Sequence, residues 1–391
     1  MKVIVRAPLL SLSGYGVHSR QVFKWFLSRG FDVYAQVVPW GICTYILDEE
    51  AEDGLIGQIM KRTVPSEEKC DLSVQVQLPD EWDITLGSNN IGITAGVETD
   101  ICSSEWVSAC SKMDLVVVPS TFTKQTFVRS GVPSGKIRVV PENHSYIMDE
   151  KEHSSVMKQK IKELPTDFNF VVFGQITGHT PDTDRKNTFF ALKWLCEAFK
   201  DDKDVGIFLK TNMGRHTAID RKNSSMLVSK LIKEVREGEY PRMYLAHGML
   251  DKKEISSIYS SENMKALIAP TRGEGWGLTI IDAAASGMPV VATGYSGHMD
   301  FMSSVKFVSL DHKLIQVPPG RIDGRVFVEG SRWADVDEKD FKRKVKKLRS
   351  SYDLPKKWAL EGAQKIEENF SEAAVFKKYD LAFQEILRAR Q

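Results

Sequence analysis

The sequence predicts an α/β protein made of two doubly wound parallel-sheet domains. Three observations predict it. Short β-branched runs alternate with helical spacing almost from end to end. One charged, strand-free stretch interrupts the alternation near the middle. The length of 391 residues exceeds one ordinary core and suits two.

In the first half, strand runs fall at residues 3–6, 32–38, 73–78, 91–95, 115–119 and 137–140. In the second half they fall at 168–174, 205–210, 243–246, 266–269 and 290–293. Helical spacing lies between many of them, as at 19–28, 188–199, 224–236 and 278–286. Strand, helix and strand in repetition make parallel sheets covered on both faces. The interruption spans residues 148–166, MDEKEHSSVMKQKIKELPT. It predicts an N-terminal domain at 1–150, a C-terminal domain at 165–369 and a linker at about 151–164. Two open sheets facing each other form a central cleft, and their ligands sit beyond the carboxyl ends of the strands. The tail places Phe370, Ala374, Phe376, Tyr379, Phe383 and Leu387 on one helical face, which must pack on something.

Composition narrows the class. An apolar fraction of 42% suffices for full cores and excludes global disorder. Lys and Arg total 53 against 52 Asp and Glu, so no whole-molecule charge argues for nucleic acid or an anionic membrane. The five cysteines form no CxxC pair, and their odd number argues against a disulfide framework. They read as reduced, partly buried thiols. The opening run, MKVIVRAPLLSLSGYG, is broken by Arg6 and Pro8 and reads as a strand, not a signal peptide. No apolar stretch approaches the roughly 20 residues of a membrane helix. The expectation is a soluble, cytoplasmic protein without an integral membrane segment.

The segment PTRGEGWGLTIIDAAASGMPVV, residues 270–291, carries the most chemistry. Gly273, Gly275 and Gly277 lie between a strand run and a helix starting near Leu278. Alternate glycines let backbone N–H groups approach an anion, and the helix N-terminus adds partial positive charge. A tight turn would need the same glycines for sterics alone. Glu274 and Asp282 stand eight positions apart (282 − 274 = 8). An ionised carboxylate accepts paired hydrogen bonds from sugar hydroxyls, which suits one acid to a sugar and the other to a ribose. The plainer reading makes them a helix-start acid and an exposed helix residue.

Other candidates are less specific. Gly14 and Gly16 in SGYGVHSR form a phosphate-tolerant strand–turn–helix, without the third glycine or the acidic ribose ligand of a dinucleotide site. His18 reads as a helix-face residue. Glu98 follows the run at 91–95, at the end where sheet ligands bind; it is either functional or a helix-start carboxylate. His298 and Asp300 line the site or hold structure. The basic run KRKVKKLR at 342–349 reads as a solvated helix face ahead of a membrane or polyanion contact. The DTD at 182–184 reads as a chance match to a metal motif.

The block EGWGLTIIDAAASGMPVVATGYSG resembles the E-x(7)-E signature of the retaining, GT-B-type glycosyltransferases of the large group 1 family, shared by glycogen and sucrose synthase relatives. The resemblance extends along most of the chain through SGYGVHSR, IGITAGVETD, VVPSTFTKQTF, VVFG…RKN and HGMLDKKEISSIYSSE. It implies two Rossmann-like domains that close on a nucleotide-sugar donor, with the last helix, 370–391, crossing back to the first domain. Glu274 would contact the donor sugar and Asp282 the ribose, although the family usually has Glu there. Gly275, Trp276, Gly277 and Leu278 would offer backbone donors to the β-phosphate. Lys186 would neutralise the diphosphate with Arg185 beside it. The family's further basic residue is Gln175 here, and Lys210 would make up that charge. Gly248, Met249 and Leu250 would hold the base through backbone groups, leaving UDP and GDP undistinguished. Gly14 and Gly16 would meet donor phosphate and acceptor. Many relatives carry a functional histidine near the place of Glu98.

The reaction so implied moves a sugar to an acceptor hydroxyl with retention of configuration. The departing phosphate takes the acceptor's proton, so no side-chain nucleophile is expected, and none is apparent. Lys186, Arg185, backbone amides and a helix dipole supply the electrostatics, so neither metal nor cofactor is expected. Glu274, Glu98 and Lys186 are the catalytic candidates. Expected acceptors are glycans, lipid-linked sugars or small molecules; a modified DNA base is not favoured by the near-zero net charge. The rivals are an epimerase or phosphorylase on the same scaffold and a nucleotide-sugar-binding paralogue without turnover.

Overall fold

A computed structural model describes residues 1–63, 70–96, 98–174, 180–212 and 216–384. Gln175 and Leu387 fall outside the described residues. The chain divides into two compact units. Unit 1 comprises Met1–Asn143, Asp323–Ser331 and Phe370–Gln391; unit 2 comprises His144–Ile322 and Arg332–Asn369.

Unit 1 begins with β1 (Lys2–Ala7), α1 (Gly14–Ser28), β2 (Asp32–Val37), α2 (Leu55–Lys61) and β3 (Cys70–Val76). It continues with β4 (Gly87–Ile93), α3 (Ser104–Lys112), β5 (Leu115–Val118), α4 (Thr121–Arg129) and β6 (Ile137–Val139). Its strands form one parallel sheet in the order β2-β1-β3-β4-β5-β6. Val3, Val5, Leu72, Val74, Ile91 and Ile93 are all buried, as strands covered on both faces require. Ser13, Ser103 and Ser120 start α1, α3 and α4 by accepting a backbone N–H two or three residues on. Connections diverge between β1 and β3, so the ligand end of this sheet lies beyond their carboxyl termini.

Unit 2 runs α5 (Ser155–Lys162), β7 (Phe168–Phe173), α6 (Thr188–Ala198), β8 (Val205–Thr211), α7 (Ala218–Val235), β9 (Arg242–His247) and α8 (Lys252–Ser260). There follow β10 (Met264–Ala269), α9 (Leu278–Ala285), β11 (Val290–Thr293), α10 (Met299–Met302) and β12 (Val308–Leu310). A ribbon of β13 (His312–Gln316) and β14 (Arg332–Val336) precedes α11 (Glu338–Ser350) and α12 (Asp353–Phe370). The main sheet is parallel, in the order β12-β11-β10-β7-β8-β9. Its switch point lies between β7 and β10.

Two places differ from the sequence reading. Residues 151–164, read as a linker, contain α5, which belongs to unit 2 because Met157 and Ile161 give it a buried side against α8. β12, β13 and β14 were not read as strands. They are short, and the ribbon strands HKLIQ and RWADV mix His, Lys, Gln, Arg and Asp among their apolar residues, so no β-branched run marks them.

The tail forms α13 (Glu372–Ala382), which counts with unit 1 and packs on α1. Val375, Phe376, Tyr379 and Phe383 are its buried residues. Trp25 of α1 lies 5.1 Å from the Phe383 ring and 5.5 Å from the Tyr379 ring. Arg29 grips both oxygens of Asp380 at 2.7 Å. The basic run sits on α11, with Phe341, Val345 and Leu348 inward. Part of its charge pairs within unit 2: Lys342 with Glu197 and Glu338, Lys344 with Asp340, Arg349 with Asp202. Among the described residues no helix is long and apolar enough to cross a membrane. Cys70, Cys102, Cys110 and Cys196 are buried, and Cys43 is half-buried.

Candidate active site

The site is assembled where β7 and β10 part, from the turn before α6 and the loop after β10. Asp184 accepts the Lys186 N–H at 3.2 Å on one oxygen and the Thr188 N–H at 2.7 Å on the other. Asn187 takes a left-handed φ of 57° and donates its amide to the Pro270 carbonyl at 3.0 Å. The Arg272 N–H reaches the Arg185 carbonyl at 2.9 Å. In DRKN, then, the outer residues build the turn and the inner two project cations. The DTD triplet is a turn for the same reason, since Asp184 spends both oxygens on it.

Those cations meet Glu274. Lys186 Nζ lies 2.7 Å from its Oε1, and Arg185 lies 3.3 Å from its Oε2. Arg185 also donates to the Gly273 carbonyl at 2.8 Å. Glu274 is 7% exposed. Burial alone would raise its carboxyl, yet Lys186 and Arg185 hold it down at about 2. The result is an ionised carboxylate, two cations and a helix N-terminus within one small volume.

A second loop, after β11, clamps this one. Ser296 Oγ accepts the Glu274 N–H at 2.9 Å, and the Gly297 N–H reaches the Glu274 carbonyl at 2.8 Å. A Cβ on Gly297 would stand 2.0 Å from the Gly275 carbonyl oxygen, so only glycine lets the loops touch. Gly277 starts α9 at φ +105°, where an added Cβ would also press on His298 at 3.1 Å. His298 is buried beneath it and bonds through Nε2 to the Thr293 carbonyl at 2.7 Å. Trp276 points inward, 4.9 Å from Phe301, so its part in the site is through its backbone. Leu278 follows as the first residue of α9. Gly297→Ala is expected to destabilise unit 2 by roughly 1–3 kcal/mol through overpacking and to weaken nucleotide binding. Urea unfolding and UDP titration of the variant check both.

Asp282 lies inside α9 and is buried rather than exposed. Its Oδ1 accepts the Ser145 N–H at 2.6 Å, anchoring the first residues of unit 2. Burial pushes its carboxyl up to about 6, against the pull of the Ser145 and Tyr146 amides and the charges of His144 and Lys252. A folded value above the ordinary 3.8 means the native state binds the extra proton. This group's contribution is therefore most favourable at low pH and declines as pH rises from 3.8 through about 6. The decline amounts to about 3 kcal/mol. Asp282→Asn is expected to remove that slope, so its stability relative to the parent protein should improve across this window; unfolding free energies measured on both sides of it test this.

Lys210 ends β8, buried, and its Nζ donates to Asn212 Oδ1 at 2.6 Å and to the Gly248 carbonyl at 2.7 Å. Burial pushes its ammonium down to about 8. It fixes the turn that continues into Met249, which is exposed, and Leu250.

In unit 1, Gly14 is exposed at the start of α1, while a Cβ on Gly16 would lie 2.1 Å from the Ser11 carbonyl oxygen. Gly16 serves close packing of the loop on the helix. His18 is buried, with Nε2 3.1 Å from the Tyr379 hydroxyl, and burial pushes it down to about 3. Glu98 is half-buried beyond the carboxyl end of β4, near enough to act on the Tyr15 phenol. Sequence reasoning missed Ser296, Gly297 and the Arg272–Asp335 pair at 2.8 Å, which ties the same loop to β14. Only the GYSG string signalled the clamp. Among the described residues no group of three or more His, Cys, Asp and Glu is placed to hold a metal ion.

Neither protein-family models nor curated proteins match the chain. Solved structures do. Sucrose-phosphate synthase from Thermosynechococcus elongatus superposes with a TM-score of 0.64 at 13% identity, over 100% of each chain. HepE of Anabaena, solved in complex with UDP and glucose, gives a TM-score of 0.61 at 12% identity, over 98% of this chain and 100% of that one. WaaG, a glycosyltransferase involved in lipopolysaccharide biosynthesis, gives 0.55 at 11% identity, over 97% and 99%. With its two six-stranded parallel units, the chain has the GT-B fold.

Proposed function

We propose that this GT-B chain transfers a sugar from a nucleoside-diphosphate sugar to an acceptor hydroxyl, with retention of configuration and without a metal. The Glu274–Lys186–Arg185 triad at the switch point of unit 2 is the observation that carries the reading. HepE, of the same fold, was solved with UDP and glucose, which supports a nucleotide-sugar here.

The chemistry follows from the charges. A diphosphate entering at the start of α9 offers Lys186 and Arg185 a stronger anion than Glu274. Glu274, released from its cations, then accepts hydroxyls of the donor sugar. Backbone amides of Gly275, Trp276, Gly277 and Leu278 and the two cations stabilise the charge that grows on the leaving diphosphate. Gly248, Met249 and Leu250, held by Lys210, receive the base. Asp282 reaches the ribose only by sharing the carboxylate that now holds Ser145. Glu98 and the exposed Gly14 of unit 1 serve the acceptor side.

Incubation with UDP- and GDP-sugars tests the proposal. Release of nucleoside diphosphate in the presence of a chelator, with the product's anomeric configuration read by NMR, is the expected result. No binding and no turnover with any donor would defeat it; inversion or chelator sensitivity would correct the mechanism.

A further inference from the structure

We infer that Tyr15, Trp40 and Glu98 form an acceptor subsite in unit 1 that takes a neutral pyranose ring; this rests on the glycosyltransferase reading and names its acceptor class. Three connections converge at the carboxyl end of the unit 1 sheet. Tyr15 comes from the first turn of α1, which follows β1, Trp40 from the loop after β2, and Thr94 and Glu98 from the segment after β4. The Tyr15 and Trp40 rings stack at 4.3 Å with 29° between their planes. Both remain half-buried.

The platform is held rigid. The Tyr15 hydroxyl bonds Thr94 Oγ1 at 2.9 Å and accepts the Ala95 N–H at 3.2 Å. The loop bearing Trp40 pairs with the end of β1: Leu12 donates to Thr44 at 3.0 Å, Ile46 to Leu10 at 2.7 Å, and Ser11 bridges Tyr45. The Tyr45 hydroxyl accepts the Trp40 N–H at 3.2 Å. A fixed aromatic face loses little entropy on binding, and it suits a ligand with one apolar face and a polar rim. The C–H face of a pyranose meets that description, and Glu98 supplies a carboxylate for its hydroxyls.

Charge selects among occupants. The same loop continues into Asp48, Glu50 and Asp53, all exposed or half-exposed acids. They repel a phosphodiester backbone and an anionic bilayer, although Ile42 and Leu47 stand exposed beside them. A neutral sugar carries no such penalty.

Calorimetric titration with maltose, cellobiose and N-acetylglucosamine, in the presence of UDP, tests the subsite. At least one sugar is expected to bind the parent protein, to lose about tenfold or more in affinity in Trp40→Ala, and to recover most of it in Trp40→Phe. UDP affinity should be unchanged in both variants, which also shows that they fold. Sugar binding indifferent to Trp40→Ala overturns the subsite. So does a protein that binds UDP but none of the sugars, or that binds a single-stranded oligonucleotide through Trp40 instead. Failure to bind either UDP or GDP would instead strike the glycosyltransferase reading itself, and a protein that binds only GDP is titrated with the sugars in its presence.

Discussion

Glu274→Gln is expected to lose turnover by roughly 10²–10³-fold while binding UDP at least as tightly as the parent protein. The two effects separate if, as proposed above, Glu274 has opposite roles toward the two halves of a donor. In the resting site it occupies Lys186 at 2.7 Å and Arg185 at 3.3 Å, so it competes with an incoming diphosphate. Glutamine keeps the shape and removes the competing charge. The sugar, however, loses its ionised acceptor, and only binding that strengthens in the transition state speeds the reaction. Product-release kinetics and UDP calorimetry on the same preparation decide it. If UDP affinity falls together with turnover, the exchange of partners proposed above is wrong.

Lys186→Met should lower donor kcat/KM by about a hundredfold or more and destabilise unit 2 by roughly 1–3 kcal/mol. The stability loss stays below that of an unpaired buried charge because Arg185 remains beside the carboxylate. Its pH dependence has a definite sign. Glu274 is held at about 2 against an ordinary 4.5, so its stabilising contribution is full above 4.5 and lost as pH falls toward 2. Without Lys186 the folded value rises, so the contribution is smaller and its loss is complete at higher pH, and the acid unfolding midpoint moves up. The double variant Lys186→Met/Glu274→Gln should recover stability without recovering turnover. Recovery of both would reduce the lysine to a counter-ion for Glu274.

Much of the fold was legible because parallel strands covered on both faces must be apolar throughout. Every strand run read from the sequence lies in or overlaps a strand of the structure. The ribbon β13–β14 escaped because His312, Lys313 and Gln316 in β13 and Arg332 and Asp335 in β14 leave neither strand an apolar run long enough to read. The helix at Ser155–Lys162 escaped because its cations outnumber the two residues it buries. In the candidate site, Glu274 could be found from charge set beside glycine, and the inner pair of DRKN from the family resemblance. Neither Asp282's grip on Ser145 nor the fit of Gly297 against Gly275 could be. The first joins residues 137 positions apart, and the second depends on two backbones touching where no side chain leaves a sign.

The two loops that would share a nucleotide are fastened very differently. The loop from Thr271 to Gly277 is tied to the turn before α6, to the loop after β11 and to β14 through Arg272. Among the described residues, the Gly248 carbonyl is held by the ammonium of Lys210. If Gly248, Met249 and Leu250 receive the base as proposed, a designer wishing to exchange one nucleobase for another should graft at them. There, among the described residues, new residues meet the Lys210 tether; a graft into the stitched loop would have to be matched by replacements in three neighbouring segments at once.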